Sequence, residues 1–455
     1  MMIIPTPSQQ IPNMVGHIPI PPIVITRITD KYYYIIWTAM NSKAIIAIVA
    51  VVIVVAAGAG AVMVMNGSGK SSGNNEDFAG YEVKTVDNLD NGIVAVGQDS
   101  FRWVTYFGLS NKCVMVDMND KTNYLGKSFM YVGKTNALNN ASSISGKSLQ
   151  FTSANCSVTD EDVKTIIDLN PSVVVVPAGF ETDNKKQMDA LRAAELHIVH
   201  IGYIYTFLDP ETFEITEAVE KQLDILGKTF DKQDRADELR DAFKDIVKDI
   251  RDIAAKVTNK KTGFISCLAY NGAHGAESSI PFFMPFALAN VDNIMANEKM
   301  DYEESGVDTY SATKISEKMD ENTVLFLDAT GIFKATDNTS TGILKLFFEH
   351  EAYVSYPYIW TGINYESVLI CAYQILHDAY GLLDDAQLKE KVNNVNQKFL
   401  GSSDSNRSEV TSKDVPVPAA GTSIYDDESA IFVAFRGNQT HGAVTINNDG
   451  SISGL

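Results

Sequence analysis

The stretch Asp231–Val257, DKQDRADELRDAFKDIVKDIRDIAAKV, determines the predicted architecture. Its apolar residues recur every three or four positions, and Lys, Arg, Asp and Glu fill the positions between them, which is the pattern of an amphipathic α-helix. No Gly or Pro interrupts the stretch, so at about 1.5 Å per residue the helix should extend for roughly 38 Å. Strand-then-helix patterns lie on both sides of it. We therefore predict a strut, meaning this single long helix, that joins two α/β lobes with a ligand cleft between them. The apolar positions of the strut are Ala236, Leu239, Phe243, Ile246, Val247, Ile250, Ile253, Ala254 and Val257.

Residues 81–212 are predicted to form the N-terminal α/β lobe. Short apolar runs alternate there with helical patterns, which indicates a mainly parallel sheet with right-handed crossovers. Ser100 is predicted to cap the helix after the first strand, and Thr159 to cap a later helix that ends at Asn170-Pro171. The predicted strands are Gly92–Gly97, Cys113–Asp117, Val173–Pro177 and His197–Gly202.

Residues 213–257 are predicted as connecting helices that include the strut, and residues 258–400 as the C-terminal α/β lobe. The predicted strands of that lobe are Thr262–Tyr270, Val324–Asp328 and Tyr353–Tyr358. Its predicted helices are Pro281–Ala296, Ser316–Met319, Leu344–His350, Tyr365–Tyr380 and Ala386–Phe399. The polar tail, residues 401–455, is predicted to contain a β-hairpin from Ala430–Phe435 and Ala443–Ile446, with a turn at Asn448-Asp449-Gly450. We assign the tail no function.

An uncharged run near the N-terminus, Ala44–Met65, predicts a transmembrane anchor. Its 22 residues would span about 33 Å as a helix, enough for the hydrocarbon core of a bilayer. Basic residues precede the run, which places the bulk of the chain outside the cytoplasm, and Ala57-Gly58-Ala59 leaves signal cleavage as an alternative. Residues 66–80 are predicted as a flexible linker. Residues 1–39 are interpreted as a non-native or disordered extension, with translation beginning at Met40.

Composition and motifs exclude several classes of function. The formal net charge of −20 argues against a nucleic-acid-binding protein, because there is no basic stripe to neutralise phosphates. No metalloprotease, hydrolase, dinucleotide-binding or kinase motif is present, so we do not expect an enzyme. Cys267 and Cys371 lie in apolar patterns and are predicted to be buried, and a Cys113–Cys156 disulfide remains open.

Polar and aromatic residues at the predicted strand ends are the candidate ligand-binding residues. Ligands of open α/β sheets bind outside the carboxyl ends of the strands, and aromatic rings beside a few polar groups suit a bulky ligand. The alternative for Trp103, Phe180 and Phe333 is that they belong to the hydrophobic core. His197 and His200 lie three apart on a strand, so one should be packed and the other exposed. The candidate residues are Arg102, Trp103, Asn119, Phe180, Tyr270, His274, Phe333, Tyr356, Tyr358 and Trp360.

The order of these segments resembles the substrate-binding proteins of ABC importers for iron–siderophore complexes, haem and cobalamin, whose two lobes are joined by one helix. The resemblance spans about Gly92–Phe399. Besides the strut and Gly92–Leu109, it rests on the segments DVKTIIDLNPSVVVVPAGF, HIVHIG, MPFALANVDNI and WTGINYESVLICAYQIL. It implies a monomer without an intrinsic cofactor that captures a ligand and delivers it to a membrane permease with its ATPase. Because no cluster of His, Asp and Glu forms a metal shell, we expect a metal chelate as the ligand.

The resemblance also implies an acidic residue on each lobe that docks against permease arginines. The candidates are Glu161 and Asp162 on the first lobe and Glu317 on the second, although the best-matching helix position is Lys164. The alternative for these carboxylates is favourable placement at the start of a helix. Two other functions stay open: a surface adhesion or sensory module on the same fold, and an α/β enzyme that would use His274 with Glu277.

Overall fold

The structure is a computed structural model that describes residues 75–117, 120, 131, 134–143, 158–268, 275–298, 307–329, 331–332, 335, 338–358, 362–401 and 442–453. The extension over residues 1–39, the anchor over 44–65 and the start of the 66–80 linker lie outside the described residues. Within the described ranges, no helix combines the length and the apolar character that crossing a membrane requires.

The first lobe contains a five-stranded, entirely parallel sheet with the strand order β3-β2-β1-β4-β5. The prediction of a mainly parallel sheet is therefore confirmed. Its strands are β1 (Ile93–Ala95), β2 (Cys113–Val116), β3 (Ser142–Ser143), β4 (Val173–Pro177) and β5 (Ile198–Ile201). Its helices are α1 (Ser100–Tyr106), α2 (Thr135–Asn140), α3 (Asp160–Leu169), α4 (Phe180–Asp183) and α5 (Lys185–Ala193), with a 3₁₀ turn at Ser110–Lys112.

Strand β4 shows why an uninterrupted valine run forms a central strand. Val173 and Val175 belong to the core on one face of the sheet, and Val174 and Val176 belong to the core on the other. Successive side chains of a strand point to opposite faces, so a strand covered on both faces must be apolar at every position.

The second lobe contains a six-stranded sheet with the order β13-β12-β11-β10-β6-β8, in which the four strands from β11 to β8 are parallel. Its strands are β6 (Thr262–Ser266), β8 (Asp292–Asn293), β10 (Thr323–Asp328), β11 (Ala352–Ser355), β12 (Gly442–Ile446) and β13 (Ile452–Ser453). Strands β7 (Ser278–Ser279) and β9 (Asp308–Thr309) form a separate antiparallel pair. Its helices are α8 (Met284–Ala289), α9 (Ala312–Ser316), α10 (Asn338–Leu344), α11 (Tyr365–Asp378) and α12 (Asp385–Leu400), with a 3₁₀ turn at Lys345–Phe347.

The predicted strand Ala443–Ile446 is present as β12, and the predicted turn joins it to β13, where Gly450 N–H bonds the Asn447 carbonyl. The other predicted strand, residues 430–435, lies outside the described residues. Strand β12 also pairs antiparallel with β11. The end of the tail is therefore part of the second sheet.

Two helices connect the sheets: α6 (Glu217–Thr229) and the strut, α7 (Gln233–Ala254), which is continuous over 22 residues. Eight of the nine predicted apolar positions are buried, and Val257, beyond the last turn, is half-buried. The strut is shorter than predicted at both ends. Asp231 has a φ of 52°, which is outside the right-handed helical region, and Val257 N–H bonds the Ala254 carbonyl in a tight final turn.

Other boundaries also differ from the prediction. Helix α8 ends at Ala289 because Asn290 adopts a φ of 63°, so the helix predicted for Pro281–Ala296 was too long. The predicted Ser316–Met319 helix lies earlier, as α9, because the Ser311 side chain caps its start. Thr159 caps α3 as predicted, with a reciprocal bond from Asp162. Ser100 is not a cap: Asp99 precedes α1, and Ser100 Oγ donates to the Val96 carbonyl at 3.0 Å.

One hydrophobic core links the strut to both sheets. Its buried side chains include Ile93 of β1, Leu239 of the strut and Leu325 of β10. The described residues accordingly belong to a single compact unit, Ala56–Leu455. Cys267 and Cys371 are buried, as predicted, and Cys113 is a buried free thiol, whereas Cys156 lies outside the described residues.

Candidate ligand-binding site between the lobes

The order of strands in the first sheet changes direction at β1. Strands β2 and β3 lie on one side of β1, and β4 and β5 lie on the other side. Ligands of open α/β sheets bind at the carboxyl edge beside such a switch point. The turn after β1 passes through Gly97 at a φ of 88° and Asp99 at a φ of 63°. A Cβ on Gly97 would lie 2.8 Å from Phe180 Cζ, so only glycine fits there. This tight turn directs Asp99 and the first turns of α1 to the edge where a ligand is expected.

Arg102 of α1 forms an ion pair with Glu366 in the first turn of α11. This ion pair joins the two lobes. Both side chains are almost completely buried, at 0% and 2% exposure. The second carboxylate oxygen of Glu366 accepts a hydrogen bond from the Tyr106 hydroxyl. A buried charge requires a partner of opposite sign, and here that partner comes from the opposite lobe.

Several polar atoms around this ion pair have no hydrogen-bond partner among the described residues. They include both carboxylate oxygens of Asp99, Nε and Nη2 of Arg102, and Nε1 of Trp103. Buried polar atoms are almost always hydrogen-bonded, so such a concentration requires an explanation. At the carboxyl edge of β1, the unused N–H groups would suit the oxygen atoms of a ligand.

Gly362 of the second lobe lies directly against Asp99 of the first lobe. A Cβ on Gly362 would be 1.9 Å from Asp99 Oδ1, and its φ of 143° is one that side chains rarely adopt. The two lobes are thus in direct contact at the point where Glu366 reaches Arg102.

Burial dominates the electrostatics of this cluster. It raises the pKa of Asp99 well above its usual range; Arg102 opposes the shift, and the carboxylates of Asp120 and Glu366 add to it. Burial opposes the charge of Arg102, but Glu366 more than compensates and the Arg102 pKa is raised. Asp99 therefore takes up a proton more readily than an ordinary carboxyl group, whereas Arg102 remains a cation.

Aromatic rings surround the ion pair and connect it to the strut. Trp103 packs edge-on against Tyr106 and Tyr365, with ring centroids 5.5 and 5.7 Å apart. Tyr365 in turn packs against Phe243 of the strut at 6.3 Å. These rings therefore connect the Arg102–Glu366 ion pair to the strut. Trp103 and Phe180 are both fully buried, which matches the core alternative given for these two residues.

Tyr356 and Tyr358 lie after the carboxyl end of β11. Tyr356 N–H donates to Gln374 Oε1 at 3.1 Å, and Tyr358 N–H donates to Asp328 Oδ2 at 2.8 Å. Both side chains are buried. The other candidates, Asn119, Tyr270, His274, Phe333 and Trp360, lie outside the described residues. Among the described candidates, Arg102 and Trp103 contact residues of the opposite lobe, Glu366 and Tyr365 respectively.

The three candidate docking carboxylates differ in exposure. Glu161 and Glu317 are exposed at the start of α3 and the end of α9. Asp162 is buried, and its Oδ2 accepts hydrogen bonds from the Thr159 backbone N–H and hydroxyl at 2.8 and 2.7 Å. The Asp162 carboxylate is therefore engaged in capping α3.

A second charged cluster surrounds His200 of β5. Its Nδ1 lies 2.6 Å from Asp77 Oδ2, and its Nε2 lies 2.6 Å from Glu181 Oε1. Glu181 is also held by Arg192, and the Tyr81 ring stacks on the imidazole at 5.2 Å. His200 is packed, as one of the two histidines was predicted to be, and His197 is half-buried. The end of the predicted linker, residues 75–80, is thereby fixed to the first lobe.

Sequence reasoning missed Glu366 and Tyr106 as members of the site. A signal for Glu366 was present, because it is a carboxylate in a helix whose residues from Tyr365 to Leu376 are all buried. Such a residue almost always has a buried partner. The parts of the chain that the structure describes contain no group of three His, Cys, Asp or Glu side chains arranged to hold a metal ion.

Comparison with known proteins supports the fold assignment. No protein-family model matches the sequence, and no curated protein is significantly similar to it. Molybdate-bound MolA of Haemophilus influenzae, a periplasmic binding protein, is similar in structure: the TM-score is 0.51 and the identity 16%, over 72% of this chain and 97% of MolA. A periplasmic solute-binding protein of Veillonella parvula gives a TM-score of 0.49 and 17% identity, over 73% and 94% of the two chains. CeuE of Helicobacter pylori, solved with Ni(II), gives 0.47 and 14%, over 73% and 98%. The chain has the α/β fold of periplasmic binding proteins, and the resemblance predicted from its sequence is confirmed at that level.

Proposed function

We propose that this chain is the extracytoplasmic substrate-binding protein of an ABC importer and that it captures a metal chelate between its lobes. The observation that carries the proposal is the buried Arg102 at the carboxyl edge of β1, whose Nε and Nη2 have no hydrogen-bond partner among the residues that the structure describes. It is combined with a fold in which one unbroken helix connects two sheets. Iron–siderophore complexes, haem and cobalamin are the ligands to be compared.

The strut is the mechanical basis of the proposal. Its buried face, including Leu239 and Ile250, packs into the core shared with both sheets. A stiff connection permits only a small change in the angle between the lobes. The lobes then keep nearly the same relative orientation when a ligand binds, so little conformational entropy is lost.

The residues at the lobe contact favour a ligand rich in oxygen atoms. A guanidinium presents N–H groups in a planar fork that matches carboxylate and similar oxygen pairs. An intact chelate presents ligand oxygens to such donors and keeps its own metal coordination, so binding it does not require the protein to coordinate the metal.

Delivery to the permease would use exposed carboxylates on both lobes. Glu161 and Glu317 are exposed and suited to meet permease arginines, whereas Asp162 is engaged in its cap. Charge complementarity of this kind sets orientation and association rate more than affinity. The Ala44–Met65 segment would keep the monomeric receptor at the outer face of the cell membrane, beside the permease and its ATPase.

The test is to identify the bound molecule directly. The full chain is purified from membranes, and any co-purifying small molecule is analysed by mass spectrometry. Intrinsic tryptophan fluorescence is then titrated with ferric siderophores, haem and cobalamin. We expect quenching by one class of chelate, and weaker binding by Trp360→Ala with an unchanged circular dichroism spectrum. A protein that retains no small molecule and responds to none of the chelates would contradict the proposal.

A further inference from the structure

We propose that Glu366 is an internal competitor of the ligand: in the empty protein its carboxylate occupies Arg102 and holds the lobes together, and an anionic chelate displaces it. This inference rests on the proposed function and specifies the ligand class and the closing contact of the same site. It assigns the ligand a negatively charged, oxygen-rich surface.

Arg102 requires a counter-ion in the empty protein. Its side chain is fully buried between the lobes, and a buried cation without a counter-ion costs several kcal/mol. In the empty protein the counter-ion must come from the chain itself. Glu366 supplies it from the opposite lobe, so the same ion pair both neutralises Arg102 and joins the lobes.

Glu366 satisfies the hydrogen-bond donors of the Arg102 guanidinium incompletely. Its Oε1 accepts from Nη1 alone, and its Oε2 is used by the Tyr106 hydroxyl. The guanidinium Nε and Nη2 have no hydrogen-bond partner among the described residues, although the guanidinium also lies over the Tyr131 ring. A carboxylate that formed a two-point contact with this guanidinium would satisfy both. The site is thus better matched to a ligand oxyanion than to its own glutamate.

Displacement of Glu366 from Arg102 has a defined mechanical consequence. Glu366 lies in the first turn of α11, and Gly362, four residues earlier, contacts Asp99. Moving Glu366 away from Arg102 also moves the Gly362 backbone away from Asp99, which uncovers the carboxyl edge of β1. Asp99 resists an incoming anion less than an ordinary carboxylate, because burial raises its pKa and favours its neutral form.

The experiment compares Glu366→Gln with the wild-type full chain. Glutamine retains the size of the side chain and its acceptor oxygen but removes the charge that competes with the ligand. Glu220→Gln is the matched control, since Glu220 pairs with Arg240 on the surface of α6 and the strut. Affinity is measured by tryptophan quenching for a ferric tris-catecholate, which is anionic, and for ferrioxamine B, which is cationic. The separation of the lobes in the empty protein is measured by small-angle X-ray scattering.

We expect Glu366→Gln to bind the tris-catecholate about tenfold more tightly than wild type, near the lower end of measured couplings between close charge pairs. Ferrioxamine B should gain no affinity, and the empty variant should have a larger radius of gyration than wild type. Glu220→Gln should match wild type in every measurement. Equal changes for both chelates, or an unchanged radius of gyration, would overturn the inference.

A double variant covers the case in which Glu366→Gln fails to fold. Arg102→Gln with Glu366→Gln removes both charges, so no unpaired charge remains buried. We expect it to be open and to bind the tris-catecholate more weakly than wild type. A closed double variant, or one with undiminished anion affinity, overturns the inference. An open Glu366→Gln variant in a chain that binds none of the chelates would support the closing contact and contradict the proposed function instead.

Discussion

The Tyr365 hydroxyl of the second lobe donates a 3.0 Å hydrogen bond to the Ile204 carbonyl of the first lobe. Both residues are buried, and the Tyr365 ring packs against Phe207 at 4.7 Å. This bond lies one residue from Glu366 and is uncharged. It therefore provides a way to loosen the lobe contact without changing the electrostatics of Arg102.

Tyr365→Phe should destabilise the protein by about 1–2 kcal/mol, because the Ile204 carbonyl is left buried without its donor. Urea unfolding measures the loss, and small-angle scattering should show wider separation of the lobes. Tyr353→Phe is the control, since the Tyr353 hydroxyl donates to the Asp378 carbonyl at 2.9 Å within the second lobe. A change in lobe separation in the Tyr353 variant would argue against a specific effect at the lobe contact.

Gly362→Ala should push the lobes apart. Its new Cβ would meet Asp99 Oδ1 at 1.9 Å, and the φ of 143° is itself strained for alanine. Gly342→Ala is the matched control: Gly342 lies in α10 with no atom within 4 Å of an added Cβ. That variant should be neutral or stabilised by up to about 1 kcal/mol. If both variants keep the wild-type radius of gyration, the close approach of Gly362 to Asp99 does not control the lobe separation.

Ile250→Ala should destabilise the protein by about 2–5 kcal/mol, since Ile250 is fully buried on the strut and the deletion leaves a cavity. Lys244→Ala, on the exposed side of the same helix, should change stability by less than about 0.5 kcal/mol. Chemical denaturation of both variants provides the comparison. Similar small losses for the two would mean that the strut does not hold the shared core together.

The His200 cluster predicts a pH-dependent stability. Burial alone would lower the pKa of His200, but hydrogen bonds to Asp77 and Glu181 raise it above the ordinary value of 6.5. Folding therefore favours the imidazolium. Its stabilising contribution is complete below pH 6.5 and is lost as the pH rises through the elevated pKa.

Thermal unfolding between about pH 5.5 and about pH 8.5 measures this contribution. The groups that face His200 are Asp77, Glu181, Tyr81 and Arg192, with Lys221 on the Asp77 carbonyl. His200→Gln should be less stable than wild type at the acidic end, and the difference between the two proteins should shrink towards the alkaline end. His197 has a lowered pKa and titrates equally in both proteins, so the difference isolates His200. A difference that is independent of pH would contradict the assignment.

Much of the fold follows from local pattern. The strut, the valine strand β4 and the Thr159 cap are each specified by neighbouring residues, because helical periodicity, burial on two faces and capping act over a few positions. Helix ends were less predictable. Asn290 and Asp231 end or delay helices through positive φ angles that the apolar pattern does not reveal.

The site depended on contacts that no local pattern encodes. Arg102 was identified because it follows a strand end, but its partner Glu366 lies 264 positions away in the sequence. Helix α11 is buried at every position from Tyr365 to Leu376, and its sequence did not specify the partner of this carboxylate. Trp103 had the same sequence signal as a cleft residue, yet the rings of Tyr106 and Tyr365 enclose it.

By itself, the sequence determined the α/β class, the parallel first sheet and the long helix between two sheets, since each follows from the period with which apolar side chains recur. Only the tertiary structure decided that Arg102 meets Glu366, that Asp99 meets Gly362, and that His200 lies between two carboxylates. The reason is physical: periodicity determines which face of an element leaves water, whereas the partner of a buried charge is determined by how distant elements pack.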